Sequence, residues 1–269
     1  MNFYEKYLSV TKKNNSYVCV GLDSDLSKIP SLLKNEDNPI LIFNKKIIDE
    51  TYKHVASYKP NVAFYLAHGI KGIETLKQTI EYIPKEIPVI FDLKAGDIGN
   101  TMEQYAYSAF KYFNAEALTI NILMGSDVID ACLSIEDSYC FVLTLTSNPS
   151  AIDYFKYENL YKEIAKKISN SSEKRLGAVV GATRIEDFSL LREVMLKHIF
   201  LIPGVGAQGG SIESVCKHAI YKPDDARILV NSSRGIIFAD NSTNFAQTAG
   251  KETKKLQQTI NKELEIWTK

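Results

Sequence analysis

Short apolar runs alternate with stretches in which apolar residues recur at helical spacing, and the alternation persists along the whole chain. Strand-type runs occupy 17–23, 57–64, 88–94, 117–122, 139–146, 176–182, 199–203 and 228–231. Between them, Phe43, Ile47, Ile48 and Tyr52 mark the apolar face of one helix, and Ile70, Ile73, Leu76 and Ile80 mark that of another. Ile185, Phe188, Leu191 and Met195 repeat the pattern, and a last helix places Leu256, Ile260, Leu264 and Trp267 on one stripe. Thr101-Met102-Glu103-Gln104 and Thr183-Arg184-Ile185-Glu186 fit the capping box and are expected to start helices. Gly125 and Ser126 are expected to open a further one. Strands alternating with helices, without linker, repeat or low-complexity segment, predict an α/β protein. The expected architecture is a single (β/α)8 TIM barrel, with residues 1–269 as one domain. A doubly wound sheet is the alternative, but the GxGxxG turn expected after its first strand is missing.

Composition narrows the partners. The chain has 269 residues, with Lys plus Arg totalling 32 and Asp plus Glu 32, for zero formal net charge. That balance offers no electrostatic drive toward nucleic acid or an anionic membrane, so any anion site must be local. Cys19, Cys132, Cys140 and Cys216 form no CxxC pair. Cys19 and Cys140 fall in predicted strands, as buried free thiols in a reducing compartment would. The first residues include Glu5 and Lys6 and lack the apolar core of a signal peptide, and no run has the length of a membrane span. The expected location is the cytoplasm.

The densest chemistry lies in Val89-Ile90-Phe91-Asp92-Leu93-Lys94-Ala95-Gly96-Asp97-Ile98-Gly99-Asn100-Thr101. Strand side chains alternate faces, so Asp92 and Lys94 are expected on the face opposite Phe91 and Leu93, with Asp97 just past the strand. Charges gathered at one strand end are costly unless a site uses them. In a barrel of this kind the active site lies at the C-terminal strand ends. Asp23, Lys59, Asn61, Asp92, Lys94, Asp97, Thr146, Ser147, Gln208 and Arg234 all collect there. Gly204-Val205-Gly206-Ala207-Gln208-Gly209-Gly210 after strand seven and Arg234 after strand eight occupy the two loops that commonly form a phosphate site. Glycines also simply end strands, and it is the pairing with a bidentate guanidinium that points to phosphate. For Asp92, Lys94 and Asp97 the alternative is a structural ion-pair network. Lys59 and Asp23 on neighbouring strands extend the alternation of charge and favour a reactive cavity. A lysine held between carboxylates stays protonated and can serve as a general acid. Thr101 can equally be a helix cap, and Thr144, Thr146 and Ser147 are ordinary for a strand and its turn. The histidines (His54, His68, His198, His218) are scattered, so no metal ligation is expected.

Asp92-Leu93-Lys94-Ala95-Gly96-Asp97-Ile98-Gly99-Asn100-Thr101 resembles the DxKxxDIxxT signature of the orotidine 5'-phosphate decarboxylase family. The resemblance extends to Gly21-Leu22-Asp23, Lys59-Pro60-Asn61, Thr146-Ser147-Asn148-Pro149 and Pro203 through Gly210, and so covers nearly the whole chain. The Lys-Ala-Gly-Asp and Thr-Ser-Asn-Pro forms are similar to the branch found in various bacteria and malaria-type parasites. It implies a (β/α)8 homodimer, free of cofactor and metal, that converts orotidine monophosphate to uridine monophosphate. It implies that Lys94 donates a proton to C6 of the pyrimidine, with Asp92 and Lys59 completing the array. It sends Asp97, Ile98 and Thr101 into the partner subunit's site. Asp23 and Lys59 would hold the ribose hydroxyls with Asn61 nearby. Thr146 and Ser147 would lie by the base, Ser147 reading the pyrimidine edge, and Pro203, Gln208, Ser233 and Arg234 would surround the phosphate. The family commonly has glycine immediately before the strand-eight arginine, where this chain has Ser233. Two other readings are a magnesium-dependent relative sharing the DxKxxD core, such as a hexulose-phosphate synthase or ketogulonate-phosphate decarboxylase, and a non-catalytic phosphate-binding barrel. Ile98 through Thr101 matches the decarboxylase pattern instead of the former, and the complete charged array disfavours the latter.

Overall fold

The computed structural model describes residues 1–205 and 209–267. Its strands are β1 (Val18–Gly21), β2 (Ser57–Lys59), β3 (Ile90–Ala95), β4 (Ala117–Ile120), β5 (Tyr139–Leu145), β6 (Leu176–Val180), β7 (Phe200–Pro203) and β8 (Ile228–Ser232). They pair in parallel in the order β2-β1-β8-β7-β6-β5-β4-β3. The remaining gap closes through parallel bridges from Tyr58 to Val89 and from Asn61 to Asp92. There Tyr58 N–H donates to Pro88 O at 3.2 Å and Asp92 N–H to Pro60 O at 3.1 Å. The result is the expected (β/α)8 barrel, its strands buried on both faces as parallel strands covered by helices must be.

The floor of the barrel is sealed by a helix that the apolar pattern had not marked, Phe3–Asn14. Asn2 and Glu5 form a reciprocal capping box at its start. Phe3 packs on Tyr139 (ring centroids 4.7 Å apart) and edge-on against Phe141 (5.3 Å), while Lys6 pairs with Glu116. Nearby, Arg192 is buried without a carboxylate partner among the described residues. Its guanidinium donates to the carbonyls of Ala219, Met195, Leu196, His198 and Arg227 and lies 3.7 Å from the Phe200 ring centroid. Burial lowers its pKa to about 9.

Several expected boundaries shift for identifiable reasons. The predicted strand 57–64 stops at Lys59, because Pro60 has no N–H to continue a ladder. Asn61 instead caps a short helix, Val62–Leu66, accepting from Ala63 N–H at 3.2 Å. The helix expected from Thr101 begins two residues earlier, at Gly99, so Thr101 is not its cap. Nor does Thr183 cap Ile185–Val194; its hydroxyl donates to Ser147 O at 3.0 Å. Trp267 lies past the end of the last helix, Phe245–Ile266, partly exposed. All four cysteines are free and buried.

Candidate active site

At the C-terminal ends of the strands is a cavity of about 250 Å³ walled by Asp23, Lys59, Asn61, Asp92, Lys94, Pro203 and residues 204–205 and 231–235. Each wall residue arrives from a strand end or the loop immediately after it. β1 leads to Asp23, β2 carries Lys59, β3 carries Asp92 and Lys94, and β8 leads through Asn231 to Arg234. A wider groove of about 700 Å³ lies at the opposite end, lined by Leu8, Tyr17 and Lys222 among others. Unmatched polar atoms separate the two. Among the described residues, Asp23 Oδ1, Asn231 Oδ1 and Ser233 Oγ are buried in the mouth without a protein hydrogen-bond partner. Buried polar atoms are normally paired, so an orphaned set around one cavity marks where a polar ligand completes the structure.

The electrostatic centre is Asp92. Its Oδ2 accepts from Lys59 Nζ at 2.5 Å, and its Oδ1 accepts from Lys94 Nζ at 2.7 Å and from the Thr119 hydroxyl at 2.9 Å. Burial by itself would push the Asp92 carboxyl up, but the Lys59 and Lys94 ammonium groups hold it well below the usual carboxylate range. Burial alone would likewise lower Lys59, and the charges of Asp92 and Asp23 raise it above the usual lysine value instead. The pair is therefore charged on both sides, and Lys59 is fixed in the wall. Lys94 differs: its side chain is 47% exposed and reaches into the cavity while still anchored on Asp92.

Asp92 and Lys94 reach the same cavity, as period two led one to expect, but not through a regular ladder. β3 pairs regularly with β4 through Ile90↔Ala117 and Phe91↔Leu118, and pairing resumes only at Ala95↔Ile120. In between, β3 runs through Asp92, Leu93 and Lys94 while β4 supplies Thr119 alone. Within this bulge Lys94 takes φ +54°, a left-handed conformation that costs a non-glycine residue roughly 1 kcal/mol. Its N–H donates to Thr119 Oγ1 at 2.9 Å in place of a ladder carbonyl.

The other predicted residues divide. Asn61, Pro203, Ser233 and Arg234 join the cavity wall, Arg234 with an exposed side chain. Ser233 has φ −119° and ψ −85° and stands where β8 gives way to a short helix, Arg234–Ile237. Its side chain fits because β1 presents Gly21 opposite: a Cβ on Gly21 would come within 2.7 Å of Ser233 Cβ. Asp97 lies beyond the strand, its Oδ1 accepting from Ile98 N–H at 2.8 Å; neither it nor Thr101 is part of this chain's cavity wall. Thr146 and Ser147 also stand off the wall. They sit at the start of the loop after β5, which Arg184 fastens by donating to the carbonyls of Thr146 (3.2 Å) and Asn148 (2.7 Å). Gly181 makes room for that loop, since a Cβ there would approach Ser147 Cα and N to 2.5 Å. Gln208 lies outside the described residues. The pattern of charge and glycine did not reveal Thr119 or Asn231. An apolar strand with one threonine, and an asparagine directly after an apolar run, are too common to stand out.

A sequence model of the orotidine 5'-phosphate decarboxylase / HUMPS family matches residues 16–249, from just before β1 to within the last helix. The chain belongs to this family. An orotidine 5'-phosphate decarboxylase of Christiangramia forsetii is 42% identical over 261 residues, covering 94% of this chain and 95% of the relative. The OMP decarboxylase of Leishmania donovani superposes with a TM-score of 0.83 at 30% identity, covering 97% of this chain and 99% of that one. The UMP synthase of Leishmania donovani gives a TM-score of 0.84 at 32% identity; there the match covers 97% of this chain but 57% of that one. As a decarboxylase-family barrel, the protein has its charged array at the strand ends where the family signature falls.

Proposed function

We propose that this enzyme, a carboxy-lyase, converts orotidine 5'-monophosphate to uridine 5'-monophosphate, the last step of de novo UMP synthesis. The observation that carries the reading is Asp92 bridging two ammonium groups in a cavity whose far wall carries Arg234. That geometry suits a substrate with phosphate at one end and a reacting carbon at the other. Arg234, Pro203, Ser233 and Gln208 take the phosphate, and Asp23, Lys59 and Asn61 take the ribose hydroxyls. Thr146 and Ser147 reach the base when the loop after β5 closes over it.

In the reaction the bond between C6 and the carboxylate breaks, CO2 leaves, and the electron pair stays on C6. Lys94 Nζ then gives its proton to C6. A fixed cation beside the developing charge stabilises the transition state without reorganisation, which is the largest contribution open to such a site. Phosphate grip remote from C6 favours closure of the loops after β5 and β7. Asp97, Ile98 and Thr101 belong to a shared site in a cytoplasmic homodimer; Ile98 and Thr101 are exposed in the single chain, and Asp97 is not among the residues that line its own cavity.

Lys94→Ala is expected to reduce turnover by about 10³-fold or more, followed through the ultraviolet absorbance lost as orotidine monophosphate is consumed, while UMP binding stays measurable. Near-normal turnover would reject the mechanism. Full loss of wild-type activity with a chelator would favour the magnesium-dependent relatives instead. For the dimer, mixing inactive Lys94→Ala and Asp97→Ala proteins is expected to restore part of the activity, because one hybrid site carries both native residues. A mixture as inactive as its components would sink the shared site.

A further inference from the structure

We propose that Thr119 is a positioning residue that aims the Lys94 ammonium, and this deepens the decarboxylase reading of the same cavity. Thr119 is the β4 residue that faces the whole bulged stretch Asp92-Leu93-Lys94 of β3. Its single hydroxyl makes two bonds of different kinds. As acceptor, Oγ1 takes the Lys94 backbone N–H at 2.9 Å; as donor, it binds Asp92 Oδ1 at 2.9 Å. The same Asp92 oxygen receives the Lys94 ammonium at 2.7 Å. Lys94 is thus held at both ends through one hydroxyl, at its main chain directly and at its side-chain tip through Asp92.

Both ends need holding. The bulge leaves the Lys94 N–H without a ladder carbonyl, and at φ +54° a lysine stays left-handed only if its surroundings over-determine it. The Asp92 carboxylate can rotate unless each oxygen is engaged. Lys59 fixes Oδ2, and Thr119 shares Oδ1 with Lys94. Thr119 is itself buried in the barrel wall and does not line the cavity, so it acts through these neighbours without touching substrate. A side chain of the same shape lacking the hydroxyl preserves the packing and removes both bonds. A general acid misplaced by even a fraction of an ångström loses rate steeply, whereas phosphate and ribose contacts elsewhere in the mouth are untouched.

Thr119→Val and Thr119→Ser separate the hydroxyl from the shape. Thr119→Val is expected to lower kcat for orotidine monophosphate by about 10- to 100-fold, with KM and the Kd for UMP within about threefold of wild type. Thr119→Ser, which keeps the hydroxyl, is expected to recover most of the turnover. A purely structural threonine would give the opposite split, with folded fraction and UMP affinity falling together and serine no better than valine. Either that result or an unchanged kcat in Thr119→Val overturns the proposal. If the valine variant does not fold, Thr119→Ala takes its place in the comparison with serine. A crystal structure of the valine variant adds a readout independent of the reaction: Lys94 is expected to leave the left-handed region, and retention of φ near +54° with the Asp92 bond intact would overturn the proposal. Wild-type protein without turnover would instead defeat the decarboxylase reading, so the two failures are distinguishable.

Discussion

At the scale of single residues, Asp92 links most of the site's chemistry. Its depressed carboxyl is stabilising above the unfolded value of about 3.9 and loses that contribution only as pH falls through its lowered folded value. The raised Lys59 contributes fully below about 10.4 and loses its contribution only as pH rises through its higher folded value. Between these limits the pair does not titrate. Asp92→Asn is therefore expected to strand a buried ammonium and lower stability by about 3 kcal/mol near pH 5, the loss shrinking toward about pH 9 because burial then favours the neutral form of the unpaired Lys59. Urea unfolding across that range checks it, and a variant as stable as wild type at the acid end would contradict the assignment. Asp92 and Lys94 were legible in the sequence because three charges in an apolar strand end are expensive. The bulge was not, since Asp92-Leu93-Lys94 reads as regular alternation and Thr119, the β4 residue opposite the irregular stretch, lies on another strand. Ser233 shows the converse: the room for the serine comes from Gly21, far away in the chain.

At the scale of elements, the loop after β5 is organised by the turn after β6. Arg184, Thr183 and Gly181 respectively bind, brace and make room for the segment from Thr146 to Asn148. Arg184→Ala frees those carbonyls to water at little cost in stability, because the region is partly exposed. It is expected to raise KM for orotidine monophosphate about tenfold, with a smaller change in kcat; steady-state kinetics test this, and an unchanged KM would remove the loop from substrate capture. Strands and most helices could be read from periodicity because burial on both faces leaves them strongly apolar. Besides the helix Phe3–Asn14 and the strand cut short at Pro60, the failures occurred at caps. Thr101 and Thr183 carry the residue pattern of a capping box, yet Gly99 brings the first helix in early and Ser147 O engages the other threonine. Local pattern cannot foresee a partner from a distant loop.

At the scale of the whole molecule, reactive and structural charges occupy opposite ends. The mouth holds the paired ammonium groups of Lys59 and Lys94 beside the unpartnered oxygens of Asp23, Asn231 and Ser233, whereas the floor holds Arg192 and His198 against backbone carbonyls, His198 Nδ1 being unpartnered among the described residues. Burial lowers the His198 pKa, so the imidazole is neutral in the fold, with Nε2 3.2 Å from Ser171 O. A histidine depressed in this way leaves stability intact above its unfolded value near 6.5 and erodes it as pH falls through the folded value. Unfolding free energy is expected to drop as pH falls below about 6.5, and His198→Gln is expected to flatten part of that slope. An identical slope in the variant would refute the role.

Gly21 and Ser233 meet across β1 and the end of β8 with no space to spare. The two positions therefore constrain each other through evolutionary time. A side chain can enter at 21 only after 233 has become glycine, whereas a serine at 233 forbids it.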